Sequence, residues 1–222
     1  VGKTSLTQLL GHTLSQFAQT QTTSGNQNNE IGVPWTILQT KRSTKYLVLE
    51  MGVAKPGDML YLMNIVKPDI GVITKIGPTH LSKLKSKHGV WTEKSVLLSF
   101  CQQVVLNSDC RYCNTYQQYV DMWFGNNNQF KPNNCINHRK ITHLIPIHLT
   151  HCVEVFSAAV AVCSLIGHEP DFTGVQWPAS RLSITHHSNG AQIIDDCYNA
   201  SYSSYLMAFA YLKKFSGAIA IV

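Results

Sequence analysis

Charge is scarce in this chain. Charged side chains make up 14% of its 222 residues, against about 25% in an ordinary globular protein. With 18 basic and 12 acidic residues the formal net charge is +6, a mild excess that favours a local phosphate over a nucleic-acid surface. Long apolar runs are missing too. None reaches the 18 or so residues of a membrane span and no leader-like segment opens the chain, so it reads as soluble and away from membranes. The seven cysteines, Cys101, Cys110, Cys113, Cys135, Cys152, Cys163 and Cys197, follow no disulfide framework. Cys110 and Cys113 form a CxxC that finds no second half for a zinc site, so scattered thiols in a reducing compartment are expected. Glycine and proline, at 14 and 8, are too few for collagen or a low-complexity chain. What is present is 44% hydrophobic residues, enough for a substantial core.

The apolar residues alternate between two periods. Leu6, Leu9, Leu10, Leu14 and Phe17 fall at helical spacing. Residues 46–51, 69–76, 103–107, 144–149 and 191–196 read as strands, and a further strand is expected from 218. Residues 56–66, with Leu60, Leu62, Met63 and Val66 inward, read as a helix, as do 89–100, 115–123, 151–166 and 203–215. The Asn-rich stretch 126–137 reads as a loop. Such alternation predicts a single α/β domain, a mostly parallel sheet with helices on both faces and ligands at the C-terminal strand ends.

Val1-Gly2-Lys3-Thr4-Ser5 stands at the mouth of the first helix. Gly-Lys-Thr there is the second half of a phosphate-binding loop: the lysine reaches the β- and γ-phosphates, the threonine hydroxyl serves magnesium, and the helix N-terminus adds amides. The first glycine and the preceding strand of the full pattern are not in the sequence. Two readings stand at this point: the tripeptide occurs by chance, which it would favour taken alone, or the chain is cut inside the motif.

Three further segments lie at predicted strand ends: Thr22-Thr23-Ser24-Gly25-Asn26-Gln27-Asn28-Asn29-Glu30-Ile31-Gly32-Val33-Pro34, then Glu50-Met51-Gly52 running to Pro56-Gly57, then Ile76-Gly77-Pro78-Thr79-His80. With Asp195-Asp196-Cys197-Tyr198-Asn199-Ala200, they resemble the central ATP-binding domain of the Mur ligases. The resemblance is strongest to the branch that adds D-alanyl-D-alanine to UDP-N-acetylmuramoyl-tripeptide in peptidoglycan precursor synthesis, and it covers nearly the whole chain.

That resemblance implies a P-loop-type fold, ATP, and two Mg2+ ions. It implies that Gly2, Lys3, Thr4, Ser5, Asn29, Arg181, Asp196 and Asn199 hold the nucleotide, with Arg181 on its phosphates and Asp196 on its ribose. Thr4, Glu50, His80 and Lys94 would hold metal, with Glu50, His80 and Lys94 catalytic and Lys94 carried as a carbamate. Ser24, Asn26 and Asn28 would face the UDP-muramoyl substrate. It further implies a monomeric cytoplasmic enzyme, or one of a plastid stroma. Residues 1–222 would be its central domain, truncated at both ends, without the N-terminal UDP-sugar domain or the C-terminal dipeptide domain, and therefore inactive in isolation. Departures from the family pattern are Cys152 for the asparagine that reads adenine, Ser180 for a glycine, Lys75 for an asparagine, and short stretches at 124–151 and 167–181. They keep two alternatives in view: a non-catalytic descendant, and a related ligase such as a folylpolyglutamate synthase.

Overall fold

The computed structural model describes residues 2–126, 134–146, 149, 152–177, 183–198 and 202–217. The chain divides into two compact units, residues 1–175 and 176–222, each taken by itself below.

The first unit opens with α1 (Lys3–Ser15), followed by β1 (Thr20–Thr22), α2 (Gly32–Leu38), β2 (Tyr46–Val48), α3 (Asp58–Ile65) and β3 (Ile70–Ile73). Two short helices, α4 (Leu81–Leu84) and α5 (Lys87–Ser95), lead through a 3-10 turn to β4 (Gln103–Asn107), then β5 (Met122–Gly125), β6 (Cys135–Asn137), α6 (His138–Ile141) and α7 (Val153–Leu165). β1 and β2 form one parallel pair, and β3-β4-β5-β6 form a parallel four-stranded sheet.

Alternation along the strands buries both faces of that sheet. Val104, Leu106 and Trp123 join Met59, Leu62, Met63, Trp91 and Leu97 in one core. Val105 and Phe124, fully buried, point the other way, where α7 packs on β4, β5 and β6 and on α1. α7 is almost uniformly apolar and small, with Ala158, Ala159 and Ala161 at zero exposure, which lets it sit close against its neighbours. Each large side chain so buried contributes about 1.5–3 kcal/mol.

Several elements differ from the sequence expectation. The helix expected over 115–123 is a 3-10 segment, Cys113–Tyr119, followed by a strand. The aromatic Met122-Trp123-Phe124 run is paired on both sides, and that pairing outweighs its helical spacing. The expected loop 126–137 contains β6. No strand occupies the described part of 144–149, where the chain instead turns at Thr142–Leu144 and Pro146 offers no N–H to a ladder. The strand expected over 46–51 is regular only to Val48. In α3, Met59, Leu62 and Met63 face inward at i, i+3 and i+4, which leaves Leu60 outward at 48% exposure.

The second unit holds β7 (Ser183–His186) and β8 (Gln192–Asp195), an antiparallel hairpin, and α8 (Tyr202–Leu212). The strand expected from 218 lies outside the described residues.

Candidate functional site at the mouth of the first helix

Gly2 takes a left-handed conformation, φ 79°, open to glycine at little cost, and turns the chain into α1 so that Lys3, Thr4 and Ser5 form its first turn. The helix start, with its dipole and first-turn amides, is an anion-attracting end.

The centre of the site is Glu50, buried just beyond β2. The Thr4 hydroxyl donates to its Oε2 at 2.6 Å, and the Asn28 amide donates to Oε1 at 2.8 Å. Lys3 Nζ stands 3.7 Å from the same Oε1. The Glu50 backbone N–H donates to Thr23 Oγ1 at 2.9 Å, so the carboxylate is held from both ends. These partners meet the hydrogen-bonding demand that burial would otherwise leave open.

The loop carrying Asn28 is tightly built. The side-chain oxygen of Asn29 accepts from the N–H groups of Ile31 and Gly32, at 3.2 and 2.9 Å, and so caps α2. A side chain at Gly32 would meet the Gln27 backbone at 2.4 Å, which accounts for the glycine in that motif. Asn28 therefore reaches Glu50, whereas Ser24 is exposed and Asn26 lies in the turn, its carbonyl accepting from the Asn28 N–H.

Lys94 reaches the same place from α5. Burial pushes its pKa down to about 8; the Lys3 cation lowers it further and the Glu50 carboxylate opposes the fall. The ammonium thus lies in the field of both residues. Its aim is set by the neighbouring residue. Glu93, buried, accepts from the backbone N–H groups of Gly57 and Met59 at 2.9 and 2.7 Å. α5 thereby caps α3 with one residue and presents Lys94 with the next.

His80 is not drawn into this cluster by any contact. It opens α4 with φ 53° and is exposed; its carbonyl accepts from the Lys83 and Leu84 N–H groups, and its ring makes no hydrogen bond or ion pair with the described residues. Asp196 is half-buried just after β8 in the second unit. Arg181 and Asn199 lie outside the described residues. Cys152 is buried directly before α7.

Reading the sequence missed several participants. Thr23 positions the Glu50 backbone, and Glu93 fixes α5. Lys75 pairs with Glu154 at 3.5 Å, and Asn107 donates to both Glu154 and the Thr74 carbonyl. Of these only Lys75 had been singled out in the sequence; β1, which places Thr23, was not expected.

Among the described residues no group of three or more His, Cys, Asp or Glu side chains could hold a metal ion. The oxygens of Thr4 and Glu50 are nonetheless what Mg2+ prefers, and that ion commonly keeps waters and substrate phosphates as its other ligands, so the pair fits one such ion. No helix among the described residues is long and apolar enough to cross a membrane.

Residues 1–144 match the Mur ligase middle domain. A UDP-N-acetylmuramoyl-tripeptide--D-alanyl-D-alanine ligase of Bacillus subtilis is 28% identical over 97% of this chain and 52% of its own length. One from Buchnera aphidicola is 38% identical over 54% of this chain and 27% of its own. Among solved structures, MurF ligase from Thermotoga maritima in complex with ADP matches at TM-score 0.82 and 21% identity, over 97% of this chain and 56% of that one. MurF from Acinetobacter baumannii matches at TM-score 0.80 and 23% identity, over 97% and 53%. The chain spans about half the length of the curated relatives that it matches from end to end.

Proposed function

The chain belongs to the Mur ligase family, and from that premise we propose that it forms the ATP-activating centre of a cytoplasmic ligase joining D-alanyl-D-alanine to UDP-N-acetylmuramoyl-tripeptide. In this reading residues 1–222 act as a central domain between UDP-sugar and dipeptide domains, in a monomer. The observation that carries it is the convergence of Lys3, Thr4, Asn28 and Lys94 on Glu50.

Making an amide from a carboxylate and an amine near neutral pH requires activation. The substrate carboxylate takes the γ-phosphoryl group of ATP and becomes an acyl phosphate. The amine of the dipeptide attacks the acyl carbon, and phosphate leaves as the C–O bond breaks. No protein nucleophile is needed, so catalysis rests on positioning and charge neutralisation. Lys3 neutralises the transferring phosphoryl group, and the α1 amides orient the nucleotide phosphates. Thr4 and Glu50 would hold Mg2+, which would offset phosphate charge. A second ion would fall to Lys94, with the exposed His80 reaching it from α4. The depressed pKa of Lys94 leaves part of the side chain as free amine at mildly alkaline pH. That amine adds CO2 by forming an N–C bond and releasing a proton, which converts a cation into an anionic oxygen ligand. Arg181, Asp196 and Asn199 hold the rest of the nucleotide, Ser5 and Asn29 support its phosphate loop, and Ser24, Asn26 and Asn28 face the UDP-muramoyl substrate.

The test is phosphate release by the complete ligase with both substrates. Turnover should require the two together, disappear in Lys94→Ala, and return in part with bicarbonate. An alanine variant with full activity removes Lys94 from the mechanism. Cys152 favours a second reading, a non-catalytic descendant, because a thiol reads a base edge poorly. Calorimetry with Mg-ATP separates the two: a chain that binds no nucleotide sinks the ligase reading.

A further inference from the structure

Cys110-Arg111-Tyr112-Cys113 has no part in the ligase chemistry. It lies in the crossover between the parallel strands β4 and β5, and a CxxC in such a setting reads as a redox pair. The two residues close a turn. The Cys110 N–H donates to the Asn107 carbonyl at 3.1 Å, and the Cys113 N–H donates to the Cys110 carbonyl at 2.9 Å. A bond of that kind, from residue i+3 back to i, brings the two Cα atoms within about 7 Å, the reach of a disulfide. The Cys113 thiol also hydrogen-bonds to the Cys110 sulfur, so the side chains as well as the backbone are turned towards each other. Both are free thiols set in the core, Cys113 with no exposed surface and Cys110 with 8%.

The surroundings favour a thiolate on Cys110. The hydrogen bond from the Cys113 thiol, against the effect of burial and with help from the backbone N–H groups of Cys113, Tyr112 and Ile76, holds its pKa well below the ordinary thiol value. The same contact, together with burial, pushes the Cys113 thiol up. A core cysteine that serves only as a small apolar group needs no such set of donors.

We propose that Cys110 and Cys113 form a dithiol site that hydrogen peroxide converts to a disulfide. Peroxide is small and uncharged, which suits a sulfur with so little open surface. The Cys110 sulfur attacks one peroxide oxygen: an S–O bond forms, the O–O bond breaks, and the departing hydroxide takes up the proton that Cys110 released, leaving a sulfenic acid and water. The Cys113 sulfur then attacks the sulfenic sulfur: the S–S bond forms, the S–O bond breaks, and a second water leaves with the Cys113 proton. Two electrons pass from the pair to the peroxide. The change reaches beyond the pair, because a neutral disulfide sulfur is a poorer acceptor than a thiolate for the Ile76 N–H, at the head of the segment that runs to His80. The inference rests on the thiol pair and is independent of the ligase reading.

The test treats the full chain with one equivalent of peroxide, blocks the remaining thiols with iodoacetamide and digests with trypsin. Of the seven thiols two should be lost, and the fragments on either side of Arg111 should travel as one species that dithiothreitol separates. The bond should form ahead of any change at Cys197, although Cys197 is exposed. Cys113→Ser should stop at the sulfenic acid on Cys110, trapped by dimedone, and Cys110→Ser should give neither product. The Ile76 amide should exchange its hydrogen about tenfold faster in the oxidised chain, the worth of one hydrogen bond to a charged acceptor, and recover on reduction. Three outcomes overturn the proposal: oxidation of Cys197 or Cys101 before the pair, a bond from Cys110 to any cysteine other than Cys113, or a pair that oxidises only after the chain is unfolded in denaturant. An Ile76 amide indifferent to oxidation overturns the link to the His80 segment.

Discussion

The rim around Glu50 and the cavity of about 520 Å3 lined by residues of β2 and β3 share α1 and β2 and have opposite characters. At the rim the central group is matched: both carboxylate oxygens of Glu50 have partners, and its backbone N–H has Thr23. Along the cavity β2 and β3 belong to different sheets, with no ladder joining them. The difference reflects the range of the two kinds of interaction. Rim contacts need only side chains from short segments, each fixed by its own turn or cap. A sheet ladder needs a whole strand on each side. A polar site can therefore be assembled where the sheets are not joined, with the nearby apolar walls left to bear the cost.

The comparison can be broken most strongly at the rim. Glu50→Ala in the complete ligase removes the carboxylate that Lys3, Thr4 and Asn28 address, and is expected to lower kcat by about 100- to 1000-fold; a variant within threefold would detach the rim from catalysis. At the cavity the contrast is between neighbouring leucines. Leu9 is buried and does not line the cavity, whereas Leu10 does. By denaturant unfolding, Leu9→Ala should cost about 2–5 kcal/mol and Leu10→Ala clearly less, because space already adjoins it. Equal costs would mean that the cavity does not adjoin Leu10 in solution.

Lys94 links the two regions, since it lines the cavity and lies in the field of Lys3 and Glu50. Its folded pKa of about 8 lies below the ordinary 10.5. Between those values the unfolded chain binds more protons, so stability should climb as pH rises from about 8 to 10.5 and fall again as pH drops through the folded value. Lys94→Met should melt higher than the parent at pH 7, match it above 10.5, and flatten that climb while abolishing ligation. A parent chain with no such climb would take Lys94 out of the buried field. The smallest effect belongs to the loop: Asn29→Ala loses the α2 cap and should cost about 1 kcal/mol, read as a lowered melting temperature with the Glu50 contacts intact.

Part of the site was legible in local pattern: Gly-Lys-Thr before a helix pointed to Lys3 and Thr4. Asn28, Glu50 and Lys94 were expected only through the family resemblance, because each taken alone reads as a turn, a strand-end or a helix-surface residue. Thr23 and Glu93 were not, because each acts on a backbone N–H far away in sequence, and nothing in a single residue announces such a partner. The same holds for the fold. β4 came out over the expected residues, whereas Met122–Gly125 became a strand only through neighbours on both sides.

By itself the sequence determined the alternation of helix and strand, the anion-attracting mouth of α1 and the residue types around it, since periodicity and turn chemistry act over a few residues. Only the tertiary structure decided that Lys94 lies in the field of Lys3 and Glu50, that Glu93 holds it there, and that β2 and β3 stand apart. Burial, Coulomb fields and strand pairing depend on distances through space, and those exist only once the chain has folded.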